Sequence, residues 1–353
     1  MHSCVSILNL ATSFALGLQS RKLLPGKSPA LDASHVSFPD DPVPSMNYNI
    51  EADWHLLDTC NYRCDYCFFG PETLGSKLRT FASPEEWKSA FDATGDVWLL
   101  HMTGGEPSIY PDFVELCENL TDRHFVSINS NLTHSSLQRF ARRIDPSRIS
   151  FINAGLHLEE RELRNGYHSF LTNADLLRSS HFPILVSLVA TPTALERFQE
   201  AIALLKPVGL FPIPKLFRGV LCGKTYPEAY TDFDKRRFRT FAGQARDFYQ
   251  PLIAKMDEPP SIDALNDDLF LEGLPSYRGL LCDAGDRFVQ ILPNGDVFRC
   301  GGSSSQGNIL NGTLVRRSKP APCDTQHCYY FCNKYSQPAV APRPQRDLAE
   351  YPQ

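Results

Sequence analysis

The sequence predicts an α/β fold built on a mostly parallel sheet, and three observations carry that prediction. Between about residues 51 and 215, short apolar runs of strand length alternate six times with helix-like segments. The connections between them are short, so consecutive strands must be joined by crossover helices. A tight group of cysteines follows the first apolar run directly, at the kind of strand end where parallel α/β folds bind their ligands.

The elements follow in order. Glu51–Asp58 reads as a first strand running into the cysteines. Pro84–Ala93 is a helix, with Ser83 as N-cap and Pro84 in the first turn, where a missing N–H costs nothing. Val97–Met102 is the next strand, Pro111–Leu120 a helix, His124–Asn129 a strand, Ser135–Arg143 a helix and Arg148–Ala154 a strand. A helix near Leu171–Ser180, the strand Pro183–Ala190, the helix Leu195–Leu205 and a strand near Gly209–Ile213 complete the series. Six such units are too few for a closed eight-fold barrel. A further helix is expected around Asp232–Phe248. Asn294-Gly295 between apolar runs then signals a hairpin of Phe288–Leu292 with Asp296–Cys300.

At 353 residues, 42% hydrophobic and 21% charged, the chain has the composition of a globular protein with a large core. Its formal charge of −5 argues against a dominant nucleic-acid surface. Lys235-Arg236-Arg237 reads as a solvated helix face. The apolar stretch Cys4–Leu18 is too short to span a bilayer and lacks the basic flank of a secretory signal. Eleven cysteines clustered at short spacings read as metal ligation in a reducing, cytoplasmic setting rather than as a disulfide framework. Cys117, in an apolar helix pattern, reads as a core residue, and Cys222 faces the expected substrate region.

Cys60, Cys64 and Cys67 form a C-x3-C-x2-C group. That spacing offers three thiolates on one short loop, whereas a structural zinc site takes four ligands. A [4Fe–4S] cluster held by three would keep one iron open to a further ligand. Downstream, the strand ending at Met102 runs into Thr103-Gly104-Gly105-Glu106-Pro107. The glycines permit close backbone approach to a ligand, and Glu106 adds a carboxylate.

With aromatic Tyr66 before the last cysteine, the triplet resembles the signature of radical S-adenosylmethionine (SAM) enzymes, and Gly104–Pro107 resembles their Gly-Gly-Glu-Pro motif. The resemblance implies a partial (β/α)6 barrel. It also implies that Cys60, Cys64 and Cys67 hold a [4Fe–4S] cluster whose open iron chelates SAM. The backbone and carboxylate at Gly104, Gly105, Glu106 and Pro107 would meet the SAM ammonium, and Tyr66 would lie near the adenine. Other strand ends would line the same cavity, with Asn131, Asn153 and Ser187 as candidate contacts and His157 beside them. Reduction of SAM would give a 5′-deoxyadenosyl radical that abstracts hydrogen from a substrate, with the hard chemistry belonging to the cofactors.

Cysteines return at 282, 300, 323, 328 and 332. Cys282, Gly295 and Cys300 fit the first part of the SPASM and Twitch extensions of this superfamily, although the C-x2-C pair of full SPASM domains is missing. One auxiliary [4Fe–4S] cluster is the expectation, held by Cys282, Cys300, Cys328 and Cys332, with Cys323 as a spare that could replace Cys328. Zinc suits such thiolates equally well. Asp283, Asp286 and Arg287 flank this site as ordinary surface charges or as a base.

The expected organisation is an N-terminal extension and linker (1–46), the barrel (47–220), a helical bridge (221–275), a small hairpin and loop domain for the auxiliary cluster (276–336) and a tail (337–353). The expected function is a radical SAM oxidoreductase or modifying enzyme acting on a peptide or protein side chain, or on a small, sugar-like metabolite. A flavodoxin or ferredoxin would supply the reductant, and neither nucleic acid nor a membrane span is expected. The alternative is a non-catalytic iron–sulfur or zinc protein, an electron carrier or scaffold.

Overall fold

A computed structural model describes residues 46–70, 74–75, 77–254, 265–301 and 304–328. Cys332, the N-terminal extension and the tail lie outside the described residues.

The alternation read from the sequence is realised strand by strand. β1 (Ile50–Leu57), α1 (Pro84–Ala93), β2 (Trp98–Gly104), α2 (Phe113–Thr121), β3 (Phe125–Ser130), α3 (Ser136–Arg143) and β4 (Ile149–Gly155) lead to α4 (Leu158–Arg164) and α5 (Tyr167–Ser179). β5 (Ile184–Val189), α6 (Pro192–Glu196), α7 (Phe198–Leu205) and β6 (Pro212–Lys215) follow. Neighbouring strands from β1 to β6 pair in parallel, the arrangement that crossover helices impose. Ser83 caps α1 as expected. Its hydroxyl accepts from the Glu86 N–H at 3.2 Å while Glu86 accepts from the Ser83 N–H at 2.7 Å. The last barrel strand starts later than Gly209, because Gly209 takes a left-handed conformation (φ 63°) and ends the preceding helical turn. The helix expected at 171–180 begins at Tyr167, and a separate short helix, α4, precedes it.

The two faces of the sheet differ in kind. On the outer face Trp54 meets Trp87 and Phe91 of α1 with ring centroids 4.7 and 5.2 Å apart, and Met102, Ile128 and Ile152 continue the apolar layer. On the opposite face β1 carries Glu51, Asp53 and His55, in strict alternation with Ala52 and Trp54. Their register partners there include His101 and Thr103 of β2 and Gln290. Buried parallel strands are ordinarily apolar on both faces, so this inner face is chemically distinct.

After β6 come a short hairpin, β7 (Gly219–Leu221) with β8 (Lys224–Tyr226), and the long helix α8 (Asp232–Ile253), which is capped by Thr231 and Asp234. α8 packs on the sheet end through Tyr249, whose hydroxyl donates to the Phe211 carbonyl at 2.7 Å. The remaining strands are β9 (Leu281–Cys282), β10 (Phe288–Ile291), β11 (Asp296–Phe298), β12 (Ser305–Asn308) and β13 (Ala321–Pro322). The expected hairpin is β10 with β11, turning at Gly295 (φ 85°). It continues the main sheet: β10 pairs in parallel with β1, placing Glu51 opposite Phe288 and Asp53 opposite Gln290. The sheet therefore has nine strands, in the order β12-β11-β10-β1-β2-β3-β4-β5-β6. No helix among the described residues is long and apolar enough to cross a membrane.

Candidate cofactor-binding site

The cysteine loop leaves the C-terminal end of β1 and returns to it through a bridge between Thr59 and Gly75. Cys60, Cys64 and Cys67 are all half-buried. The Cys67 N–H donates to the Cys64 carbonyl at 3.0 Å, and the Tyr62 N–H points at Cys60 Sγ at 3.3 Å. Burial pushes the Cys60 thiol up to about 11 and the Cys64 thiol up to about 12, and raises that of Cys67. Thiols of this kind are ionised by binding a metal, not by solvent.

The Gly-Gly-Glu-Pro turn at the end of β2 is the seat of that loop. The Gly105 N–H donates to the Leu57 carbonyl at 2.8 Å and the Glu106 N–H to the Thr59 carbonyl at 2.9 Å. A β-carbon on Gly104 would stand 2.3 Å from the Leu57 oxygen, and one on Gly105 would stand 1.9 Å from the Thr59 oxygen. The close approach that these glycines allow is thus to the backbone at the root of the cysteine loop. Glu106 is buried, and its carboxylate accepts from the Ser108 N–H and hydroxyl, the Ser130 hydroxyl and the Asn131 N–H at 2.6–3.0 Å. It ties the end of β2 to the end of β3. Pro107 opens a single 3₁₀ turn, Pro107–Ile109, capped by the Glu106 side chain.

Asn131 reaches the cysteine loop directly, donating from Nδ2 to Asn61 Oδ1 at 2.8 Å. Tyr66 Oη lies 3.0 Å from His157 Nδ1, and the same nitrogen lies 3.5 Å from Cys64 Sγ. His157 follows β4 in a left-handed conformation, and its ring occupies the space that a side chain on Gly155 would need. Burial depresses its imidazole to about 3, so the ring is neutral. Asn153 donates to Asn129 of β3 at 2.8 Å, and Ser187 stands in register with Gly155 on the inner face. Cys loop, glycine turn, Asn131 and His157 thus meet at one edge of the sheet, while Asn153 and Ser187 line the inner face below it.

Several residues of this region escape sequence reading. Arg161 of α4 is fully buried and bonds the carbonyls of Asn131 and Gly155, with Tyr62 of the cysteine loop as a further partner. On the inner face His55 Nε2 lies 3.3 Å from Asp53 Oδ2, and Gln290 donates to the same oxygen at 3.3 Å. His101 lies 2.6 Å from Ser127 Oγ and 3.5 Å from Glu51. The signal for this set is the Glu-x-Asp-x-His alternation of β1.

The C-terminal cysteines also gather. Cys282, Cys300, Ala284 and Phe288 form a small buried cluster against which Cys328 packs. β9 pairs with β13, setting Ala321 opposite Cys282 and bringing Cys323 alongside. The Cys323 thiol lies 3.2 Å from the Thr325 hydroxyl. Asp286 is ion-paired with Arg316 at 3.0 Å. Cys117 is buried in α2, and Cys222 sits in the β7–β8 turn with a left-handed backbone.

The donor chemistry of the triplet fits an iron–sulfur cluster. Among the described residues no three His, Cys, Asp or Glu side chains converge as a single ion requires. In a four-iron cluster each thiolate binds a different iron, so such convergence is not needed.

The family model described as Radical SAM superfamily matches residues 54–210. A GTP 3′,8-cyclase from Actinobacillus succinogenes is 36% identical over 69 residues, which are 19% of this chain and 20% of that protein. A 7-carboxy-7-deazaguanine synthase from Methanothermobacter thermautotrophicus is 33% identical over 109 residues, 30% of this chain and 43% of that protein. The chain therefore matches under half the length of either relative. Among solved structures, native anSMEcpe with bound AdoMet gives a TM-score of 0.50 at 15% identity, covering 81% of this chain and 83% of that one. The same protein with AdoMet and Cp18Cys peptide gives 0.51 at 16% identity, covering 82% of each chain. At these identities the likeness concerns the fold.

Proposed function

We propose that this chain is a radical SAM oxidoreductase or modifying enzyme, a reading supported by the match of residues 54–210 to the Radical SAM superfamily model. The observation that carries the reading is the set of three half-buried thiols, seated by Gly104 and Gly105 at the C-terminal edge of a parallel sheet. Cys60, Cys64 and Cys67 would hold a [4Fe–4S] cluster that binds SAM. When bound, cluster and SAM supply the one-electron chemistry that yields a 5′-deoxyadenosyl radical and removes hydrogen from a substrate.

The chain's own residues seat, orient and shield. Glu106 and Asn131 hold the strand ends and the cysteine loop in one geometry. Tyr66 and His157 close the side of the loop around Cys64. The polar inner face, with Asp53, His55, His101 and Gln290, supports a small, polar, hydrogen-bonding substrate. The named relatives, a GTP cyclase and a deazaguanine synthase, are compatible with that class. The gathering of Cys282, Cys300 and Cys328, with Cys323 alongside, supports one auxiliary [4Fe–4S] cluster. Its ligands would be Cys282, Cys300 and Cys328, with Cys332 as the fourth and Cys323 as the alternative. A flavodoxin or ferredoxin would supply electrons.

The test is 5′-deoxyadenosine formation by anaerobically reconstituted protein given SAM and a strong reductant. The C60A/C64A/C67A protein should form none. Wild type should bind about eight irons and C282A/C300A about four. A cluster-loaded wild type that never cleaves SAM would overturn the enzymatic reading in favour of an electron carrier or scaffold.

A further inference from the structure

The sulfurs of the first cysteine loop do not all find their hydrogen bonds in the same way. Cys60 Sγ accepts from the N–H two residues on, that of Tyr62, at 3.3 Å. Cys67 Sγ likewise accepts from the Phe69 N–H. The same local pattern recurs at Cys282, which accepts from the Ala284 N–H at 3.4 Å. Among the described residues Cys64 has no such backbone donor. What stands against its sulfur instead is His157 Nδ1, at 3.5 Å, from a residue beyond β4.

The fold holds that imidazole in one pose. His157 has φ 31° and ψ 64°, in the left-handed region that few residues other than glycine adopt. Such outliers gather where a fold must aim a particular group. Tyr62 meets the ring edge-on, with centroids 5.8 Å apart and planes at 85°. Tyr66 lies nearly parallel to it, with centroids 6.1 Å apart and planes at 19°. Both tyrosines belong to the cysteine loop, so the loop itself grips the ring. On the other side, a β-carbon on Gly155 would stand 2.3 Å from Nε2, and the glycine leaves the ring its room.

The grip aims Nδ1 at two acceptors, Tyr66 Oη at 3.0 Å and Cys64 Sγ at 3.5 Å. A neutral imidazole carries one N–H, on either nitrogen. A ligating thiolate only accepts, so a bare Nδ1 beside it would set lone pair against lone pair. The proton therefore sits on Nδ1. We propose that His157 Nδ1–H is the hydrogen-bond donor to the Cys64 thiolate, in the place of the backbone donor its neighbours have, and that it raises the reduction potential of the first-loop cluster. The inference rests on the cluster reading given above. A hydrogen bond to a ligating sulfur draws off electron density and so stabilises the more negative, reduced state. His157 is a positioning residue and is assigned no contact with a reacting atom.

The experiment compares reconstituted wild type with H157F, H157N, G155A and G155A/H157N. The readouts are iron content, redox titration followed by electron paramagnetic resonance, and electron–nuclear double resonance after exchange into D₂O. The C60A/C64A/C67A and C282A/C300A proteins identify the first-loop signal. Phenylalanine keeps the ring but donates nothing, whereas asparagine keeps a short-range N–H donor and tolerates the left-handed backbone. H157F should load iron as wild type does. At a fixed solution potential its first-loop cluster should show a reduced-to-oxidised ratio lower by about threefold, or ~28 mV for one electron. It should also lose an exchangeable-proton coupling that wild type shows. H157N should stay within about twofold of wild type. G155A pushes the ring aside and should behave as H157F does. In the H157N background G155A should change nothing, because the atom it would strike is gone.

Wild type that binds no iron sinks the functional reading and this inference with it. Full iron in H157F with an unmoved potential and an intact proton coupling sinks the inference alone. A shift in H157N as large as in H157F also overturns it, since the ring and not the donor would then matter. If H157F loads no iron, the Gly155 pair decides: an equal shift from G155A with and without H157N overturns the inference, and a shift confined to the histidine background supports it.

Discussion

Gly105 lies so close to Thr59 that a β-carbon on it would stand 1.9 Å from the Thr59 carbonyl oxygen. Backbone on backbone leaves nothing flexible to move, so the only response to a side chain there is displacement of the cysteine loop. Gly105→Ala should destabilise the protein by about 3 kcal/mol. It should also lower the iron retained after reconstitution to half of wild type or less. Iron content and the thermal midpoint check both, and a variant with full iron would show that the contact does not seat the loop.

Glu106 accepts four hydrogen bonds from Ser108, Ser130 and Asn131 inside the fold. In Glu106→Gln one carboxylate oxygen becomes an NH₂ group, and at least one donor then faces another donor. The expected loss is about 2–3 kcal/mol, because a buried unsatisfied donor retains its desolvation cost. Urea denaturation of the two proteins measures it. An unchanged midpoint would mean that the carboxylate does not hold the strand ends.

His124 is buried, with Nδ1 accepting from the Trp98 N–H at 3.3 Å, and its imidazole is depressed to about 4 by burial. The folded state therefore keeps it neutral while the unfolded chain takes up a proton near pH 6.5. Stability from this group is complete above that value and falls as pH drops towards 4, by up to about 1.4 kcal/mol per pH unit. Below pH 4 it contributes no further slope. His124→Asn should be less stable at pH 7.5 and flatter between pH 6.5 and 4. Urea midpoints across that range decide it, and an equal slope in both proteins would contradict the assignment.

Phe288, Val289 and Ile291 of β10 are fully buried, and β10 covers the edge of β1. A chain ending at residue 275 would expose the hydrogen-bonding edge of β1 together with that apolar surface. Such an edge is a template for aggregation. The truncated protein should be insoluble, or melt far below the full chain. A soluble, cooperatively melting 1–275 fragment would show that the barrel folds without its C-terminal strands.

Much of the barrel was legible because its signals are local. Ser83 and Pro84 announce the start of α1, and apolar runs of six or seven residues announce β2 to β5. The breaks were harder to see. The helix read at 195–205 is interrupted at Arg197, and α4 is a seven-residue helix whose charged sequence, Leu-Glu-Glu-Arg-Glu-Leu-Arg, shows little apolar periodicity. The expectation that Gly104 and Gly105 make room for a ligand identified the need for close approach but not what approaches. Only the pairing of β1 with β2 puts Leu57 and Thr59 there.

The sequence by itself determined the alternation of strands and helices, the three-thiol loop and the hairpin at Asn294-Gly295. Each depends on neighbours a few residues apart, whose spacing on the chain is their spacing in space. The tertiary structure decided which distant groups complete the site. His157 meets Cys64 across 93 positions, Arg161 meets Tyr62 across 99, and Gln290 meets Asp53 across 237. Those contacts exist because successive parallel strands bring their ends to one edge, and because β10 returns to lie beside β1. Strand order is settled by how buried apolar faces and hydrogen-bonding edges are satisfied together, a property of the whole sheet that no short window of sequence contains.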